Sequence, residues 1–168
     1  MNGVKITEDN AASVLAGLER LSKMDVLVGI PESNAVREDG EELNNAEIGY
    51  LQSTGATVRL GGREVILPPR PFLDIGIEDT QAVTSEHLKA AAGLALDGKF
   101  SAAESELEKA GMVASNGAKR VISDGDRLIP ISDMTKANRR AQGLPGDKPL
   151  YAHGYLLRSI TYVVRGKK

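Results

Sequence analysis

Between Leu67 and Phe72 the chain carries three prolines in four positions, Pro68-Pro69-Arg70-Pro71, and this run limits what can stand on either side of it. Proline fixes φ and has no N–H, so Pro68 and Pro69 end any strand arriving through Glu64-Val65-Ile66-Leu67. A fixed φ also reduces the entropy lost on ordering, which makes the run a rigid connector. Pro71 suits the first turn of a helix, where its missing N–H would have no partner anyway. Phe72 and Leu73 then dock into the core. Two roles stay open for this stretch: a stiff strand-to-helix connector, or a ledge that presents Arg70 to a partner.

The pattern on either side sets the remaining elements. A strand is expected at Val4–Ile6, then Thr7 as the N-cap of a helix from about Glu8 to Lys23, with Ala11, Val14, Leu15, Leu18 and Leu21 at helical spacing. Asp25 to Ile30 reads as a buried strand stopped by Pro31. Asn45 to Ser53 reads as a short helix closing at Gly55. Thr57–Leu60 and Glu64–Leu67 flank Gly61-Gly62-Arg63, which predicts a β-hairpin. Helices are expected from about Thr80 to Leu96 and from about Phe100 to Ile122. The second carries enough Ala and Gly to let another helix approach closely. A short helical turn around Met134–Arg140, a helical piece within Tyr151–Leu157 and a strand at Ile160–Val164 complete the chain. Residues 33–44 and 124–149, polar or rich in Gly and Pro, are expected to be flexible. Strands near both ends with long helices between them predict a single α+β domain over residues 1–168, in which a small, mostly antiparallel sheet packs with several helices.

Composition excludes several functions. With 168 residues, net charge −2 and no cysteine, the chain is long enough for one core, has no global attraction to nucleic acid or acidic lipid, and holds no disulfide or thiolate metal site. No apolar run approaches the ~20 residues that cross a bilayer. The N-terminal residues lack the basic and apolar regions of a signal peptide, so the expected compartment during assembly is the cytoplasm. Two Phe, four Tyr and no Trp leave a core of aliphatic residues and Ala. Such a modest core favours burial completed by neighbouring subunits.

No catalytic constellation stands out. His153 lies near Ser159, but no G-x-S-x-G elbow surrounds that serine, and His87 beside Glu86 reads as a solvated helix position. Asp124-Gly125-Asp126 lacks the spaced ligands of an EF-hand and reads as a turn, and Gly61-Gly62 lacks the lysine of a phosphate loop. Lys136, Arg139, Arg140, Lys148 and Arg158 fall within a short span. They are open to three readings: a surface for DNA phosphates, a solvated face, or partners for acidic residues of a neighbouring subunit. A nucleic-acid-associated protein using this span is the alternative to a structural role, and a hydrolase using either histidine is the third reading.

Four motifs in order carry a resemblance. Val26-Leu27-Val28-Gly29-Ile30-Pro31 follows an early helix, and Asn45-Ala46-Glu47-Ile48-Gly49-Tyr50-Leu51 closes on Gly55. Leu67-Pro68-Pro69-Arg70-Pro71-Phe72-Leu73 precedes long helices. Lys148-Pro149-Leu150 leads through Gly154, Leu157, Ser159 and Ile160 into the last strand. In these motifs the chain resembles the tail-component family of long-tailed bacteriophages, the neck, tail-completion and head–tail joining proteins. The resemblance implies a subunit of a ring, often six-fold, between the capsid connector and the tail tube, in a neck, tail-completion or tail-terminator role, located in the virion at the head–tail junction or the tail end. It implies no enzymatic activity and no cofactor. Its partners would be copies of itself and the neighbouring connector and tail-tube proteins, with DNA met only as it passes through the ring and no membrane. The interface candidates are Arg70 and Phe72 in the proline ledge and Lys136, Arg139, Arg140 and Arg158 in the basic span.

Overall fold

A computed structural model describes residues 9–37, 42–144 and 146–166. The expected strand at Val4–Ile6 and the Thr7 cap lie outside them. Helix α1 (Ala11–Ser22) is followed by strand β1 (Met24–Gly29), a single helical turn α2 (Glu32–Ala35) and α3 (Asn45–Thr54). Strands β2 (Ala56–Leu60) and β3 (Arg63–Leu67) precede the long helices α4 (Phe72–Leu96) and α5 (Phe100–Asp124). Then come α6 (Asp133–Ala141), α7 (Tyr155–Ser159) and strand β4 (Thr161–Gly166). The class is α+β, with all strand pairing antiparallel.

Local chemistry explains most of the boundaries. Asn44 caps α3 by accepting from the Ala46 and Glu47 N–H groups, and the Glu47 carboxylate accepts from the Asn44 N–H, a complete capping box. Gly61 and Gly62 have φ of 56° and 78°, as a two-residue type I′ hairpin turn requires at both positions. Ser132 caps α6 through the Thr135 N–H. Helix α4 starts at Phe72, eight residues earlier than its apolar periodicity indicates. Its first two turns carry Asp74, Glu78 and Asp79 outward, which hides the pattern, while Phe72 and Gly76 face the core four residues apart.

The body is an antiparallel pair of long helices. Small residues let α4 and α5 close on each other: an added Cβ at Gly76 would lie 2.3 Å from the Ala118 backbone nitrogen, and one at Gly117 2.5 Å from the Gly76 carbonyl oxygen. Around one end of this pair, Phe72, Ala118, Val121, Ile122, Leu128, Leu156 and Ile160 form a buried cluster. At the other end Ala91, Ala95, Ala103 and Leu107 pack under Leu21, Val26 and Val164.

The strands form two separate ladders rather than one sheet. Strand β1 pairs with the returning C-terminal β4, as the positions of the runs near the two ends predict, and β2 pairs with β3. Strand β1 is half-buried, not buried as its apolar composition indicates. One face, with Val26 and Val164, lies on the helices, while the cross-strand pair Leu27 and Val163 on the other face stays 41% and 39% exposed. Helix α1 shows a similar split. Gly17 is buried against Phe100, but Leu15 and Leu18 of the predicted apolar stripe remain 65% and 40% exposed.

His87 joins the two long helices. Its Nδ1 lies 2.7 Å from a Glu106 carboxylate oxygen, and Lys109 Nζ donates to the other oxygen at 2.5 Å. These hydrogen bonds, Lys109's first and His87's second, hold the Glu106 carboxyl below its ordinary range. A carboxyl lowered in the folded state contributes stability that is complete above its unfolded pKa of about 4.3 and disappears as pH falls through the native value. Acid titration of the melting temperature is therefore expected to show a steeper fall below that pH for the parent than for Glu106→Gln. Parallel acid limbs in the two proteins would remove this assignment.

Candidate interface

The proline ledge is a built clamp, and its arginine points inward. Arg70 is only 6% exposed. Its Nε donates to the Ile129 carbonyl at 2.6 Å, one terminal nitrogen to the Pro130 carbonyl at 3.1 Å, and the other to Gln52 Oε1 at 3.1 Å. Its backbone N–H donates to the Gln52 carbonyl at 2.7 Å. One planar guanidinium thus ties α3, the root of the β2–β3 hairpin and the connection after α5 together, a task that suits the arginine fork. Burial first, and the nearby charge of Arg139 second, lower the Arg70 pKa. Phe72 next to it is fully buried. Of the two roles open to this stretch, the connector role accounts for both side chains. Of the interface candidates, Arg70 and Phe72 both lie buried inside the subunit.

The basic span is not one patch. Arg139 is half-buried and donates to the carbonyls of Lys148 at 2.8 Å and Tyr151 at 3.3 Å, clasping the end of the connection onto α6. Burial lowers its pKa as well. Lys148 donates to the Ser123 carbonyl at the end of α5. Lys136 pairs with Asp133 at 3.2 Å within α6, and the exposed Arg140 lies along the same helix. Arg158, on α7, stands apart from that helix: its guanidinium lies 5.1 Å from the centre of the Tyr155 ring. Arg37 covers the same ring at 5.5 Å, and His153 stacks on it at 5.4 Å. Position in sequence brought these cations into one span, but the fold spends Arg139, Arg140 and Lys148 on carbonyl groups, pairs Lys136 with Asp133 and sets Arg158 apart on α7.

Two features escape sequence reasoning. The first is the standing of the hairpin. Strand β3 is exposed along almost its whole length, and neither β2 nor β3 packs substantially on any other element. Ile66 is 78% exposed and Val65 36%. The alternation of Glu64, Val65, Ile66 and Leu67 identifies a strand but not what covers it. The second is Asn45, only 4% exposed, whose side-chain oxygen has no hydrogen-bond partner. Its neighbour Asn44 is legible as a cap; Asn45 has no local signature.

Among the described residues no group of three or more His, Asp or Glu side chains converges as a metal site, and no helix is long and apolar enough to cross a membrane. No protein-family model, no curated protein and no solved structure matches this chain.

Proposed function

We propose that this protein is a ring-forming assembly subunit at the head–tail junction of a long-tailed bacteriophage, acting through shape and subunit contacts. The observation that carries the reading is the projecting β2–β3 hairpin. A two-stranded hairpin alone is at best marginally stable in water. This one carries exposed Val65 and Ile66 on a root made rigid by Pro68, Pro69 and the Arg70 clamp. A stiff arm that needs a covering surface, on a body whose β1–β4 ladder leaves Leu27 and Val163 open, suits head-to-tail contacts between copies, and such contacts close into rings when the rotation permits. The motif order through Val26–Pro31, Asn45–Gly55, Leu67–Leu73 and Lys148–Ile160 supplies the phage setting.

Light scattering and electron microscopy of the purified full chain test this. Concentration-dependent assembly into closed rings is expected. Ile66→Lys, at a side chain that contributes little to the subunit's own core, is expected to shift the population to monomers that keep the parent's circular dichroism and lose the concentration dependence of the melting temperature. Strictly monomeric protein at every concentration, together with phage particles that join tails normally without this component, would refute the proposal.

A further inference from the structure

Gly29 ends strand β1 in a setting that does not call for glycine. Its φ is not positive, so the backbone there suits any residue. An added Cβ would meet no atom within 4 Å, so nothing inside the subunit requires the side chain to be absent. The position lies two residues beyond Leu27 and opposite Thr161, on the ladder face that leaves Leu27 and Val163 open. A hollow of about 430 Å³ runs along this stretch, with Leu27, Gly29, Pro31, Glu32, Thr161 and Val163 in its lining. Glycine in a strand gives up packing and loses more chain entropy on folding than other residues. A strand glycine that its own fold does not use leaves room for a group from outside to come close.

The same chain carries a group of matching shape. Ile66 is exposed on the projecting hairpin, and the register places it on one face with the small Thr57 and the exposed Arg59–Glu64 pair. It is the one large apolar side chain of that face. Charge agrees with the match. Arg63 at the hairpin tip and Glu32 at the rim of the hollow are both exposed, and neither makes an ion pair with a described residue. Each lies three residues along the chain from its neighbouring feature, Ile66 in one case and Gly29 in the other. Size agrees as well. Each hairpin strand has five residues, a length of about 17 Å at ~3.4 Å per residue. A face two such strands wide is much smaller than the ~800 Å² that each partner buries in a standard interface. One contact of this size holds two copies weakly, whereas a closed ring, in which every copy gives one arm and receives another, holds them through the sum.

We propose that the open face of the β1–β4 ladder is the socket for the β2–β3 hairpin of a second copy of this chain, with Ile66 seated over Gly29 between Leu27, Thr161 and Val163, and Arg63 against Glu32. The inference rests on the ring-forming reading above and adds to it the surface that receives the arm. The subunit's own hairpin is not the occupant, since neither of its strands packs substantially on β1 or β4. A strongly charged partner is not selected either, because the socket offers one charge of each sign, Glu32 and Arg165. Burial of Ile66 in the hollow supplies the affinity, and the Arg63–Glu32 pair sets the direction in which the arm lies.

The chain has no cysteine, so an introduced thiol is unique. Full-length Gly29→Cys and Ile66→Cys are prepared separately, mixed while dilute, concentrated and treated with a short bis-maleimide. The mixture is expected to give a covalent dimer in clear excess over either protein alone, with the link between the two introduced thiols located by mass spectrometry. Gly93→Cys, on the exposed side of α4, should give no such excess with Ile66→Cys. In light scattering, Gly29→Val, which fills the hollow, is expected to weaken assembly about tenfold or more, while circular dichroism of the dilute protein stays that of the parent. Two outcomes would overturn this contact and leave the ring standing: a parent that assembles together with a Gly29→Val that assembles equally well, or Ile66→Cys linking to itself in preference to Gly29→Cys, which would pair hairpin with hairpin. A parent that stays monomeric at every concentration would overturn the ring and the contact together.

Discussion

Arg70→Gln is expected to destabilise the protein by about 3 kcal/mol, which for a domain of this size lowers the melting temperature by about 6–12 °C. The side chain is 6% exposed and supplies three hydrogen bonds to two separate places: Gln52 on α3, and the consecutive carbonyls of Ile129 and Pro130. Bonds from a charged donor contribute more than neutral ones. Glutamine reaches one of those acceptors at most. Arg70→Lys is expected to recover little, since one compact ammonium does not reproduce a planar fork aimed in three directions. The hairpin should be affected first, because Arg70 joins its root to the body. Amide exchange in β2 and β3 should accelerate in Arg70→Gln more than exchange in α5. A variant within about 0.5 kcal/mol of the parent in urea unfolding would show that the clamp contributes nothing net.

The second large effect is expected at the helix crossing. Gly76→Ala should cost about 3 kcal/mol or more, even though alanine gains about 1 kcal/mol in helix propensity over glycine. Steric overlap decides the sign. The new Cβ would lie 2.3 Å from the Ala118 nitrogen and 2.4 Å from its Cα, and backbone atoms in the middle of a helix have no rotamer by which to move aside. The whole α4–α5 contact must open. Gly93→Ala is the matched control in the same helix. No atom lies within 4 Å of its added Cβ, so propensity acts alone and the change should stabilise by about 1 kcal/mol. Urea unfolding of both variants gives the comparison directly. Equal and small effects at the two positions would refute a close approach of α4 and α5 at this crossing.

These two positions also show how legibility divides. The glycine and alanine content of α5 announces that something packs closely against it, and the structure supplies α4. Arg70 is different. Its sequence neighbours, the prolines, describe a stiff stretch of chain equally well whether the side chain points to a partner or to the interior. The carbonyls that attract it lie 59 and 60 residues away. The hollow between α3 and α7 escapes for the same reason: Asn45, Tyr155 and Arg139 come to line it only through long-range packing.

What the chain's own order of residues determines is local. Prolines that cannot donate end β3, and a Gly-Gly pair with positive φ turns the hairpin. Asn44 and Glu47 close the start of α3, and β-branched runs at the two ends of the chain become β1 and β4. Each follows from interactions within a few residues, where backbone sterics and single hydrogen bonds decide the outcome. Only the tertiary structure decides which side of each element is covered. It places Arg70 inside, leaves Leu15, Leu18 and Ile66 in solvent, and splits the strands into two ladders. Burial depends on which distant surface arrives to exclude water, and periodicity within a segment carries no record of that surface.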